Sequence, residues 1–235
     1  MQDTGHHWEA QASVWGRISA AGGFSSYAAA LDGASAAFTP TDRSVRCIDE
    51  RVPGGINIAG SGILLEENTL LARLRDAHAD GVFSHAECGA AKLYANKAGL
   101  DPTRADEYGK EFATRIAAKL GVPYRGHLDV SPSGLHIARA AYYDGTGSFD
   151  PTRHAGLPPG FVVSRRYHDV GYALDEIRVA LSIAFGDHGF GDRFSGAEPF
   201  HLVAIGRTPD ETEQLISEIA PLASDTVRID GFSAP

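Results

Sequence analysis

Hydrophobic positions along the chain switch repeatedly between a helical and an extended spacing, and this alternation predicts the elements. Residues 8 to 31 are rich in alanine with polar positions between, which predicts one or two helices interrupted at Gly22-Gly23. Residues 43 to 48, RSVRCI, predict a short strand, and the stretch 53 to 62, PGGINIAGSG, a glycine-rich loop. Leu70, Leu71, Leu74 and Ala77 lie at helical spacing within 68 to 79, with Asn68 as candidate cap. GVFSH at 81 to 85 predicts a second strand. A helix from after Cys88 to about Lys97 follows, then a longer one from Asp101-Pro102-Thr103 to Leu120, ended by Gly121 and Pro123.

The second half continues in the same way. Strands are expected at 124 to 130, 135 to 143, 161 to 167, 200 to 205 and 226 to 229, and helices at 172 to 185 and 209 to 222. Such β-α-β alternation predicts an α/β fold with a mostly parallel central sheet flanked by helices. Neither an internal repeat nor a low-complexity linker is visible, and residues 186 to 192 read as a loop. The expectation is one domain over 1 to 235, with a helical arm (1 to 42), a core (43 to 150) and a C-terminal α/β extension (151 to 235).

Composition narrows the class. Of the 235 residues 43% are hydrophobic and 22% charged, which suits a globular chain with a substantial core. A net charge of -9 and the lack of a Lys/Arg run argue against a nucleic-acid surface. No stretch approaches the ~20 apolar residues of a membrane span. The first residues, MQDTGHHWEA, show no secretory signal. Two cysteines are no disulfide framework, and as reduced thiols they suit the cytoplasm.

Both cysteines fall in two short strings, Cys47-Ile48-Asp49-Glu50-Arg51 and His85-Ala86-Glu87-Cys88-Gly89-Ala90, each at the end of an expected strand. Alternate residues of an extended segment share a side, so Cys47, Asp49 and Arg51 can converge just past a strand's carboxyl end. That is where open α/β sheets bind ligands. His85 ends the next strand, and Cys88 falls in the first turn of a helix, whose N-terminus favours a thiolate. Two thiolates and an imidazole form a three-ligand zinc set with a fourth position for water or substrate. Asp49 and Arg51 are expected to pair, which orients the acid and keeps it ionised.

Cys-x-Asp-x-Arg followed by His-x-x-Cys-Gly resembles the β-class carbonic anhydrases. The resemblance implies Cys47, His85 and Cys88 as zinc ligands and Asp49 with Arg51 as the catalytic dyad. Pro53-Gly54-Gly55 with Ala59-Gly60, and Tyr143-Asp144-Gly145-Thr146-Gly147, are weaker echoes of that family. The resemblance spans roughly 43 to 147 and rests on about ten residues. It departs from the usual pattern in a short Cys47–His85 interval, in lacking Arg-Asn before Ala-Gly, and in the unmatched region after Asp150. It implies a zinc lyase interconverting CO2 and bicarbonate, a homodimer as smallest unit, and a β-carbonic-anhydrase-like fold. Hydrolysis of COS or CS2 at the same zinc and a catalytically silent zinc-binding homolog are the alternatives.

Blander assignments stand beside these. The cysteines can be buried structural thiols, and Asp49–Arg51 an ordinary ion pair. His78, His127 and His136 can be surface or core residues, or any one a proton carrier. The glycine-rich stretch has no third glycine at position 65 and no P-loop pattern, so a nucleotide loop is not indicated. Glu66-Glu67 reads as a solvated helix start.

Overall fold

The structure is a computed structural model and describes residues 4–39, 42–130 and 134–235. It is α/β, with seven α-helices among the described residues around two four-stranded sheets rather than one central sheet. Helices α1 (Thr4–Ala20) and α2 (Phe24–Ala29) come first and are separated at Gly22-Gly23, as the sequence predicts. Both glycines take positive φ (85° and 133°), which L side chains rarely adopt. Trp15, Ile18, Phe24 and Tyr27 of the arm pack with Tyr142, Val203, Ile205 and Phe232 of the second sheet, and Trp8 joins the larger core that includes Cys47 and Cys88.

The first sheet holds β1 (Ser44–Arg46), β2 (Ile56–Asn57), β3 (Gly81–His85) and β4 (Tyr124–Leu128) in the order β2-β1-β3-β4, all parallel. Helix α3 (Glu67–Asp76) connects β2 to β3, and α4 (Gly89–Lys97) with α5 (Ala105–Leu120) connects β3 to β4. Leu70, Leu71 and Leu74 form the buried stripe of α3. Its cap is Glu66, whose carboxylate accepts from the amides of Asn68 and Thr69, not the expected Asn68. The glycine-rich stretch carries a feature that its composition hides. Strand β2 is only two residues long, too short for any periodicity to register.

The second sheet holds β5 (Ala140–Asp144), β6 (Phe161–Val163), β7 (Phe200–Gly206) and β8 (Val227–Ser233), again all parallel. Its order, β6-β5-β7-β8, is the order of the first sheet shifted by four strands. Helices α6 (Val170–Ala184) and α7 (Pro209–Ile219) make its two crossovers, at the positions of α3 and of α4 with α5. No sequence repeat accompanies this, but the topology repeats. The sheets meet where the two outer strands β2 and β6 come together. Ser164 N donates to Asn57 O at 3.1 Å, Asn57 N to Ser164 Oγ at 2.9 Å, and Val162 N to Ile48 O at 3.1 Å. The larger hydrophobic core runs through both halves, from Val45, Ile58 and Val82 to Phe161, Val163 and Leu202. No described helix is long and apolar enough to cross a membrane.

Candidate metal centre

Cys47 follows β1, His85 ends β3, and Cys88 is the N-cap of α4, one residue before the helix begins. Neighbouring parallel strands bring their carboxyl ends together, so residues 38 apart in sequence converge. The span from His85 to Cys88 closes because Glu87 takes a left-handed conformation (φ 58°). A non-glycine residue there is strained by roughly 1–2 kcal/mol. Its amide is held by Asp106 Oδ1 at 2.9 Å. The ligand atoms of Cys47, His85 and Cys88 all lie within 4.8 Å of one another, and all three residues are buried.

The donor set fits a metal ion. His85 Nδ1 lies 2.8 Å from the Ala86 carbonyl, which fixes its hydrogen on Nδ1 and leaves Nε2 as the acceptor. That Nε2 is buried with no hydrogen-bond partner, an expensive arrangement unless a metal takes the lone pair. The thiols are not equivalent. A hydrogen bond from Cys88 draws the Cys47 pKa well below its usual value despite burial, and the charge of His85 adds to this. Cys88, which gives that hydrogen bond and is itself buried, is pushed up, while the amides of Ala91 and Ala90 at the start of α4 pull it down. Burial opposes the charging of His85, but the Cys47 thiolate beside it wins and raises its pKa to about 9. Without metal the three groups therefore share protons that a cation would displace.

The glycine-rich stretch packs against this group. Gly60 N donates to Cys47 Sγ at 3.2 Å. Gly60 has φ 56°, and a Cβ there would stand 2.9 Å from Ala90 Cβ and 3.5 Å from Cys88 Sγ. Only glycine brings the amide this close to the thiolate.

Asp49 and Arg51 pair as the sequence predicts. Arg51 Nε donates to Asp49 Oδ1 at 3.0 Å, Nη2 to Oδ2 at 2.7 Å, and the Arg51 amide to Oδ1 at 2.9 Å. Burial works against the charge of Asp49, but these bonds, with His136 and His85 nearby, hold its carboxyl below the usual range. Asp49 Oδ2 is 3.9 Å from His85 Nδ1, so the acid stands beside the ligand group while committed to Arg51. Arg51 also reaches Glu87, with Nη1 3.7 Å from Oε2.

Two residues at the site were not singled out by the sequence. Glu50, between the dyad members, accepts from the Ile137 amide at 2.9 Å and contacts His136 Nδ1 at 2.9 Å. Glu176 of α6 accepts from Ala59 N at 2.5 Å, one residue before the amide that holds Cys47. Its other oxygen, Oε2, stands 3.9 Å from His168 Nε2, with Tyr172 beside it, in a buried polar cluster. Both acids answer to contacts more than 80 residues away, which no local pattern reveals. Of the other histidines, His127 contacts Ser84 Oγ at 2.8 Å and His78 follows α3; neither approaches Asp49 within 4 Å. No family model, curated protein or solved structure matches the chain.

Proposed function

We propose that the chain is a zinc-dependent carbonic-anhydrase-like lyase that interconverts CO2 and bicarbonate, with Cys47, His85 and Cys88 as the metal ligands. The observation that carries this reading is the buried Cys47–His85–Cys88 group beside an Asp49 that Arg51 grips through two side-chain hydrogen bonds. Thiolate and imidazole ligands in this number favour zinc with an open fourth position. When bound, zinc supplies a Lewis acid that lowers the pKa of a coordinated water from 15.7 to about 7.

The chain's own residues do the rest. Arg51 occupies one lone-pair direction of Asp49 Oδ2 and two of Oδ1, which keeps the carboxylate from turning onto the metal. Oδ2, on the His85 side, retains a lone pair that accepts a hydrogen bond from the nucleophile and orients it towards CO2. Gly60 N neutralises part of the Cys47 charge, which tunes how strongly that thiolate donates. A homodimer and a cytoplasmic setting belong to the same proposal.

The test is stopped-flow CO2 hydration on a sample whose zinc has been measured. About one zinc per chain, with turnover rising as pH increases through the ionisation of the nucleophile, supports the reading. A zinc-loaded sample that hydrates nothing between roughly pH 6 and 9 overturns it. Turnover of COS or CS2 without CO2 moves the assignment to a hydrolase.

A further inference from the structure

The glycine-rich stretch ends in a turn built from two left-handed residues. Gly60 (φ 56°, ψ 33°) and Ser61 (φ 57°, ψ 26°) follow one another, and such a pair persists only where the surroundings hold it. The turn aims two consecutive amides at two buried acceptors. Ala59 N donates to Glu176 Oε1 at 2.5 Å, and Gly60 N donates to Cys47 Sγ at 3.2 Å. Only the backbone angles of Ala59 lie between these amides, so anchoring the first limits where the second can point. Ser61 Oγ ties the far side of the turn to the Phe83 carbonyl of β3 at 2.7 Å. That contact belongs to the first half, whereas Glu176 comes from the second, 117 residues along the chain from Ala59.

Glu176 is one of the buried residues of α6, with Ala173, Ile177 and Ala180, where an apolar side chain would be the cheaper occupant. It is 1% exposed. Its second oxygen, Oε2, stands 3.9 Å from His168 Nε2, and Tyr172 lies one helical turn earlier. His168 Nδ1 is 3.3 Å from Arg73 Nη1, and Arg73 Nη2 donates to Asp169 Oδ2 at 2.7 Å. The carboxyl is therefore set in a polar cluster that ties α6 to α3. Burial pushes its pKa up to about 8, so a glutamine resembles it at neutral pH in charge as well as in shape.

We propose that Glu176 is a positioning residue for the Cys47 ligand: by holding Ala59 N it fixes the turn that presents Gly60 N to Cys47 Sγ. This rests on the reading of Cys47 as a metal ligand. The Gly60 amide stabilises the thiolate against the proton that competes with a metal for it, and it fixes the direction of the sulfur. Loss of the anchor lets the turn relax, and the hold on a metal weakens with it. The second half thus supports one ligand without supplying any.

Two readouts test this together: zinc affinity by competition with a chelator, and the Gly60 amide signal in nitrogen-15 NMR of the zinc-loaded protein. Glu176→Ala removes the acceptor, and Glu176→Leu removes it while filling the space. Both should weaken zinc binding at least about tenfold, the low end for a residue that supports a ligand. Both should also move the Gly60 amide proton upfield, as its hydrogen bond to sulfur lengthens. Glu176→Gln keeps an oxygen on Ala59 N and should stay within about twofold of the wild type, with the Gly60 signal in place. Ile177→Ala, next along α6 and fully buried, controls for lost packing and should cost stability without moving either readout. Unchanged affinity and Gly60 signal in Glu176→Leu would overturn the role. So would a glutamine variant as weak as the leucine one, or equal losses in Ile177→Ala. A wild-type protein that binds no zinc would instead defeat the reading of Cys47 as a ligand, and the positioning role with it.

Discussion

In the first sheet, β1 runs into Cys47 and Asp49, β3 into His85, and the turn after β3 places Cys88 at the start of α4. In the second sheet, β5 ends in Asp144, β7 in Gly206, and the turn after β7 places Thr208 at the start of α7. The strand order and the succession of crossovers are the same, yet the corresponding side chains do opposite work. Asp144 is spent on its own turn, accepting from Thr146 N at 2.8 Å, Thr146 Oγ1 at 2.6 Å and Phe149 N at 3.2 Å. Thr208 caps α7 by accepting from Glu211 N at 3.2 Å. Cys88, in the same position, gives α4 no side-chain cap. A cap is worth about 1 kcal/mol, which the first half forgoes at the spot where it places the Cys88 sulfur. Pairing differs in the same direction: β7 and β8 pair over seven residues, β1 and β2 over two. The parallel topology provides a cradle at the strand ends in both halves. Among the described residues, the first half places there the Cys47–His85–Cys88 group that could hold a metal ion, and the second half uses the equivalent positions for turns and a cap.

Removing ligand residues from one half and turn residues from the other should affect the metal in opposite ways. Cys47→Ser and His85→Ala should each lower bound zinc from about one per chain by tenfold or more, as loss of a protein ligand or its support commonly does. Asp144→Asn and Thr208→Ala should leave it in place. Elemental analysis of the four purified variants decides, and zinc loss in the second pair would mean that both halves build the centre.

The dyad acts on turnover and leaves the metal in place. Asp49→Asn should keep its zinc and lose CO2 hydration by about a hundredfold, the scale of one oriented acid–base group. Arg51→Ala should lose activity and also stability, on the order of 3 kcal/mol, because it leaves Asp49 buried and unpaired. Stopped-flow rates and denaturant midpoints on the same preparations measure the two effects.

A smaller effect tests the second half's contribution to the site. Burial pushes the Glu176 carboxyl up to about 8, only partly offset by the Ala59 amide. Its unfolded value is near the ordinary 4.5, so between those limits the unfolded chain has lost a proton that the folded chain keeps. Stability therefore falls as pH rises from about 4.5 to about 8 and levels off above. In urea titrations with a chelator present, Glu176→Gln should flatten that slope and gain on the wild type at pH 8 relative to pH 5. An unchanged slope would place the titration elsewhere. The smallest effect expected is that of Thr208→Ala, a loss of about 1 kcal/mol with no change in zinc.

The site was more legible in the sequence than the architecture around it. Cys47, Asp49 and Arg51 were expected together by alternation along one extended segment, but β1 ends at Arg46 and the chain turns, with Val52 N donating to Asp49 O at 3.0 Å and the Arg51 amide to Asp49 Oδ1 at 2.9 Å, so the pair forms across a turn. The break at Gly22-Gly23 and the α3 stripe were readable because each is a local pattern. Strand β2 was not, because two residues carry no period. The division into two sheets was not either, since it depends on which strand edges meet, through contacts such as Ser164 with Asn57 across more than 100 residues. The repeated strand order leaves no sequence signal because strand order is set by pairing between segments far apart in the chain, such as Ala141 with Leu202. In the second half, strands β5 and β7 are buried throughout and read as mostly hydrophobic runs, apart from Asp144 and His201.

In the proposed centre two thiolates and one imidazole hold a metal while Asp49 stays on Arg51. Zinc-edge X-ray absorption on protein loaded with one equivalent tests it most directly. The account predicts a shell of two sulfurs at about 2.3 Å with light-atom scatterers at about 2.0–2.1 Å, reduced to one sulfur in Cys88→Ser and unaltered in Asp49→Asn. A spectrum with no sulfur shell, or one whose light-atom shell loses a scatterer in Asp49→Asn, would contradict it.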